Sequence, residues 1–151
     1  MSRNRNLAVN RQAYFNYEVL EKYEAGIIHT GTEIKSIRLG RVDLRGSYVR
    51  AEKNELWLQG AHISMYDAAG VSNHDPKQSR KLLMHKREIA DISDTVVQKG
   101  LTVVPLRLYL KRQKAKLELG LVRGKRKYDK RRTIIDRERE RQAQRALRHG
   151  I

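Results

Sequence analysis

A mainly β fold, a small closed or partly open barrel with short flanking helices, is what this sequence predicts. Three observations carry the expectation. Two stretches, residues 47–63 and 101–125, each read as two apolar runs joined by a short polar turn. Short segments between them space their apolar residues three or four apart. The last 28 residues hold too little apolar surface to join any core, which bounds the domain near residue 123.

Taken in order, residues 1–9 are polar and read as a flexible lead. From Phe15 the run FNYEVLEKYEAGII sets Phe15, Tyr17 and Val19 on one parity, as a strand with a bend at Gly26. Residues 30–39 (TGTEIKSIRL) predict a helix with Thr32 as N-cap, Ile34 and Ile37 inward, and Gly40 as its stop. A hairpin follows: Tyr48 and Val49 lead in, Lys53-Asn54 centre the turn, and Leu56, Trp57 and Leu58 return.

Residues 67–78 carry Gly70, Asn73, Asp75 and Pro76 and read as a loop. Residues 79–98 read as a helix, with Leu82, Leu83, Ile89, Ile92 and Val96 at helical steps. The second hairpin places Val104, Leu106, Leu108 and Leu110 on one parity and Leu117, Leu119 and Leu121 on another. Its turn is expected near Gln113-Lys114, and Pro105 marks an edge or a bulge.

The charge balance selects the partner class. Lys and Arg number 33 against 17 Asp and Glu, a net charge of +16. This is the footprint of a nucleic-acid binder. An anionic membrane surface would require bulky apolar anchors that the basic segment lacks. Cysteine is absent, which removes disulfides and thiolate metal sites, and no run has the length of an apolar membrane span. With no signal-like hydrophobic start, a cytoplasmic protein is expected.

Residues 124–151 are the tail. They contain 11 Lys and Arg and four acids, so +7 of the net charge lies here. A polyanion must order such a segment. From Thr133 to Arg148 there is no Gly or Pro, and Asp136–Arg139 and Glu138–Arg141 are favourable i, i+3 pairs. The isolated helix is marginal, and phosphates would settle the balance.

Signs of chemistry are sparse. The five histidines (His29, His62, His74, His85, His149) are scattered, without metal-ligand spacing. GLVRGK, residues 120–125, has one residue too few between its glycines for a phosphate loop, and Arg126 stands where Ser or Thr would bind magnesium. No catalytic residue, metal or cofactor is expected. Three basic clusters are the positive signal: Arg80, Lys81, Lys86 and Arg87; Lys111, Arg112, Lys114 and Lys116; and the tail. Tyr128, inside KRKYDKRR, has no core of its own to enter and suits stacking on a base.

At these residues the chain resembles the SmpB family, bacterial proteins that bind transfer-messenger RNA (tmRNA) and rescue stalled ribosomes. The resemblance is carried by NRQAYFNYEVLEKYEAGI, GTEIKSIRLGRVDLRGSYV, DPKQSRKLLMHKREI, TVVPLRLYLK and GKRKYDKR, in the family's order along nearly the whole chain. It implies a barrel of the OB type over residues 1–123 that binds the tRNA-like domain of tmRNA, and a tail over 124–151 that becomes helical on the ribosome, in the messenger channel below the small-subunit decoding centre. Elongation factor Tu would join the delivery complex through tmRNA.

By position, the resemblance assigns to the tmRNA face Asn10, Arg11, Glu24, Leu83 and Lys116, beside the basic pair Arg80 and Lys81. It assigns to the ribosomal tail the hinge Gly124, then Lys125, Asp129, Lys130 and Arg131, beside Arg126, Lys127, Tyr128 and Arg132 of the same basic run. Tyr128 stands where the family often has histidine, which keeps a ring and loses a titratable one. His85 stands at a position of asparagine. Glu24 has two readings of equal weight, an RNA contact and an ion-pair residue that shapes the barrel. Two rivals remain: a general RNA chaperone or ribosomal protein on the same basic surface, and an RNA-modifying enzyme, for which the sequence holds no catalytic constellation.

Overall fold

The computed structural model describes the backbone of residues 5–125 and 127–148, and the side chains of residues 6–125 and 134–145. The strands are β1 (Arg5–Val9), β2 (Tyr17–Ile27), β3 (Val42–Asp43), β4 (Tyr48–Glu52), β5 (Glu55–Gln59), β6 (His62–Ile63), β7 (Arg80–Leu83), β8 (Thr102–Lys111) and β9 (Lys114–Gly124). The helices are α1 (Arg11–Asn16), α2 (Gly31–Arg38), α3 (Lys86–Lys99) and α4 (Lys127–Arg148).

The main sheet runs β1-β8-β4-β5-β7-β2-β9, every pair antiparallel, and β9 also pairs with β8. That last pairing closes β8-β4-β5-β7-β2-β9 into a barrel, with β1 added to β8 as an edge strand. Its interior is filled by the inward parity of each strand: Ala25 and Ile27, Leu56 and Leu58, Leu82, Leu108, and Leu117, Leu119 and Leu121. Ile37 of α2 and Ile89 and Ile92 of α3 complete the same core. Thus short helices cover a mainly β core, as the sequence predicts.

Four elements differ from the sequence expectation. Residues 5–9 are not a loose lead: β1 pairs with the second half of β8, and Leu7 and Ala8 pack on the barrel core. Residues 11–16 form a helix, so the following strand starts at Tyr17 rather than Phe15. Asn10 caps this helix, accepting from the Ala13 N–H at 3.2 Å. The next helix is capped by Thr30, not Thr32, in a reciprocal capping box with Glu33. Residues 80–83 are a strand, and the helix read from 79 begins only at Lys86. Pairing with β5 on one side and β2 on the other overrides a periodicity that fits either state.

The hairpins stand. Lys53 and Asn54 turn the first with φ of 49° and 61°, and Arg112 and Gln113 turn the second, one residue earlier than expected, with φ of 51° and 68°. Pro105 does sit at a bulge, between Pro105 and Arg107. The bulge divides the parity that the sequence assigned to one face. Val104 and Leu106 pack with Ala13 of α1 and Val122, while Leu108 enters the barrel. Gly120 is required there, since a Cβ would lie 2.9 Å from Leu106 Cδ1. In β2 the irregularity falls between Val19 and Glu21, and Gly26 stays within the ladder.

Candidate nucleic-acid interface

The β7, β2 and β9 ladders place three residues in one cross-strand row. Gly26 is opposite Leu83 on one side and Lys116 on the other. Alternation sends Arg80 and Leu82 inward and leaves Leu83 outward, 53% exposed. Gly26 contributes no side chain, so a slot separates an apolar wall from a cation. Glu24, two residues back on the same parity, stands beside it. Glu24, Gly26, Leu83, Met84, His85, Glu88 and Lys116 line an open depression of about 510 Å³. A second, of about 260 Å³, lies between Glu24 and the hairpin-tip cations Lys111, Arg112, Lys114 and Lys116. Glu24 and Lys116 are the shared wall.

The carboxylate in this basic surface is tightly held. Glu24 is directly opposite Glu118 in the β2–β9 ladder, a repulsive placement unless cations intervene. Lys111 Nζ lies 3.3 Å from Glu24 Oε1. Arg107 Nε lies 3.1 Å from Glu118 Oε2, with Lys22 Nζ 3.8 Å from Oε1. The Tyr109 hydroxyl donates to Glu24 Oε2. That hydrogen bond, above all, holds the Glu24 carboxyl below its ordinary range, aided by Lys111 and Lys116 against the cost of burial. Burial, then the hydrogen bond to Glu24, pushes the Tyr109 phenol up.

Two residues assigned to this face by sequence lie elsewhere. Arg80 is 2% exposed and its charge is spent inside. It pairs with Glu33, itself buried, and donates to the carbonyls of Ala61 at 2.9 Å and Pro76 at 2.9 Å. Desolvation opposes ionisation of Glu33, but the Thr30 N–H and Arg80 outweigh it and lower its pKa. Asn10 is also 2% exposed, and its amide bridges the carbonyls of Leu44 and Pro105 at 3.2 and 2.9 Å. Both are structural because period-2 alternation and capping turned them inward. Arg11 is exposed on α1, and Lys81 is half-buried and paired with Glu55 at 3.2 Å. His74 is buried too, its ring held between Thr32 Oγ1 and the Ile63 carbonyl, both at 2.8 Å.

At the barrel's exit, Gly124 ends β9 opposite Tyr17, and the Lys125 N–H donates to the Asn16 carbonyl at 2.9 Å. The backbone then enters α4 at Lys127, six residues before the stretch that the sequence favours. Arg126 lies outside the described residues, as do the side chains of Lys127, Tyr128, Asp129, Lys130, Arg131 and Arg132. Asn6, Gly26, Arg107, Tyr109 and Glu118 were missed from sequence. Only the strand parity of Tyr109 and Lys111 could have pointed to them. Among the described residues no helix is long and apolar enough to cross a membrane.

Comparison with known proteins agrees along the chain. The family model described as SmpB protein matches residues 7–149. An SsrA-binding protein of Carboxydothermus hydrogenoformans is 56% identical over 142 residues, 94% of this chain and 95% of the relative. One of Dehalococcoides mccartyi is 52% identical over 143 residues, 95% and 83% of the two chains. A chain from the solved structure "tmRNA-SmpB: a journey to the center of the bacterial ribosome" superposes with a TM-score of 0.68 at 47% identity, over 84% of this chain and 93% of that one. The barrel, its flanking helices and these matches together establish that this chain belongs to the SmpB family.

Proposed function

We propose that this protein binds tmRNA in trans-translation: its barrel grips the tRNA-like domain, and the basic segment after Gly124 senses the empty messenger channel of a stalled ribosome. The observation that carries the first part is the Leu83–Gly26–Lys116 row beside Glu24. An apolar wall, a slot, a cation and a carboxylate in one depression suit unstacked bases and their backbone rather than a regular duplex. The names of the relatives support the same partner.

The second part rests on charge and length. Residues 124–151 carry +7 and a helix of 22 residues runs through them from Lys127. At about 1.5 Å per residue a helix of that length spans roughly 33 Å. Such a rod enters an rRNA-lined channel only when messenger is absent, so sensing is steric and electrostatic, with no bond made or broken. Residues 1–123 act as the tmRNA-binding unit and 124–151 as the sensor, and elongation factor Tu joins through tmRNA.

The test is a gel shift with the tRNA-like domain of tmRNA. Lys116→Ala and Leu83→Ala are expected to weaken binding with the circular dichroism spectrum unchanged. Wild-type affinity in both would remove this face from the interface.

A further inference from the structure

Tyr109 occupies an unusual place. Its strand parity points it to the outer surface, in register with Lys116 and Asn6, yet it is 2% exposed. The Arg107 guanidinium covers its ring at 4.2 Å from the centroid. Arg107 is itself tied on two sides, by Glu118 and by Asn6 Oδ1 at 2.8 Å. The buried phenol is thus fixed from β1, β8 and β9, and its hydroxyl is aimed at a single acceptor on β2, Glu24.

We propose that Tyr109 is a positioning residue for RNA recognition: it locks one oxygen of the Glu24 carboxylate so that the other, which also accepts from Lys111, presents its remaining lone pair to an N–H donor edge of an unpaired base. The inference rests on the reading that this face binds tmRNA. A carboxylate among Lys111, Arg112, Lys114 and Lys116 repels phosphate while its neighbours attract it. It accepts only from N–H donors, such as the exocyclic amines of cytosine and adenine or the N–H edge of guanine, and so supplies selectivity that the cations cannot. The groups that face it are Tyr109, Lys111 and Lys116, with Glu118 across the ladder and Glu88 at the far side of the depression. Without Tyr109 the carboxylate falls back on Lys111, which already lies 3.3 Å from Oε1, and the direction of that oxygen is lost.

The experiment uses the full chain and the tRNA-like domain of tmRNA. Tyr109→Phe, Glu24→Gln and the double variant are compared with Lys116→Ala, with Glu24 titrated by carboxyl NMR in each folded protein that retains it. A hydrogen bond to a charged group supports an expected loss of about ten-fold in affinity for Tyr109→Phe. The double variant should lose no more than Glu24→Gln alone, and the Glu24 pKa should rise toward its ordinary value in Tyr109→Phe. Asn6→Ala, which frees Arg107 from a distance, should produce a smaller shift of both readouts in the same sense. Wild-type affinity in Tyr109→Phe while Glu24→Gln and Lys116→Ala are weak would overturn the positioning role alone. Unchanged affinity in Glu24→Gln and Lys116→Ala would overturn the face itself, and the inference with it.

Discussion

Leu83 and Lys116 belong to strands on opposite sides of β2, and Gly26 brings them into one row with nothing between them. A Cβ on Gly26 would lie 3.3 Å from Leu83 Cβ, tighter than ordinary contact and against an atom that no rotamer change can move. Gly26→Ala should therefore shift β7 slightly at a cost of about 1 kcal/mol in stability. Gly26→Val should also fill the slot and cut tmRNA affinity further, with the barrel still folded. Denaturant melts and gel shifts on the two variants check the order.

The buried Glu33–Arg80 pair gives a stability prediction with a definite sign. Removing either partner strands the other charge in the core, so Arg80→Ala or Glu33→Ala should each destabilise by about 3–5 kcal/mol. Glu33 is held below its ordinary value of 4.5. Its contribution is then fully present above about pH 4.5 and is lost as pH falls through the folded-state value. Urea melts from pH 7 down to 3 should show an acid limb that is flatter in Glu33→Gln, from a lower starting stability.

Lys111, Arg112, Lys114 and Lys116 crowd one hairpin tip, and of these Lys111 alone makes a salt bridge among the described residues. Phosphates bound there release counterions, so tmRNA affinity should fall linearly in log–log against salt. Neutralising Arg112, Lys114 and Lys116 should reduce the slope by roughly 0.7–0.9 for each phosphate that the variant leaves unneutralised. Affinity measured across a salt series is the check, and an unchanged slope would move the phosphate-binding cations elsewhere.

Much of the barrel was legible because its signals are local. Lys53-Asn54 and the polar hairpin tip near Gln113 are turns that need few long-range neighbours to specify, and Pro105 announces its bulge. Residues 80–83 were not legible, since Leu82 and Leu83 fit a helix face as well as a strand until β5 and β2 pair with them. Arg80 read as surface because its charge is visible in sequence and Glu33, 47 residues away, is not a visible partner. Glu24 and Leu83 were found through resemblance and Lys116 through its basic cluster as well, and only the strand register reveals that they share one depression. Tyr109 stayed hidden for the same reason: its meaning lies in cross-strand neighbours.

Truncation after Gly124 should leave the barrel folded and tmRNA-bound but stop peptide transfer onto tmRNA in stalled ribosomes. Among the described residues, the barrel core draws on none beyond Val122. Replacing Asp129, Lys130 and Arg131 together by alanine should reproduce much of the loss. A transpeptidation assay on ribosomes lacking messenger beyond the P site decides it, and full activity from the truncated protein would return the chain to a general RNA-binding role.

The closure of the barrel also dictates how it comes apart. Hairpins β4–β5 and β8–β9 are bonded along their lengths, whereas the ring is joined between β4 and β8 only at Val49 opposite Val103. The molecule therefore has a seam. Local hairpins form early because their partners are close in sequence, and the seam, a single residue pair, is the weakest join of the ring and the first to open. Amide exchange should reach the start of β4 and the start of β8 before the centre of β9, and a tether across that seam would lengthen the lifetime of the folded state more than its equilibrium stability alone implies.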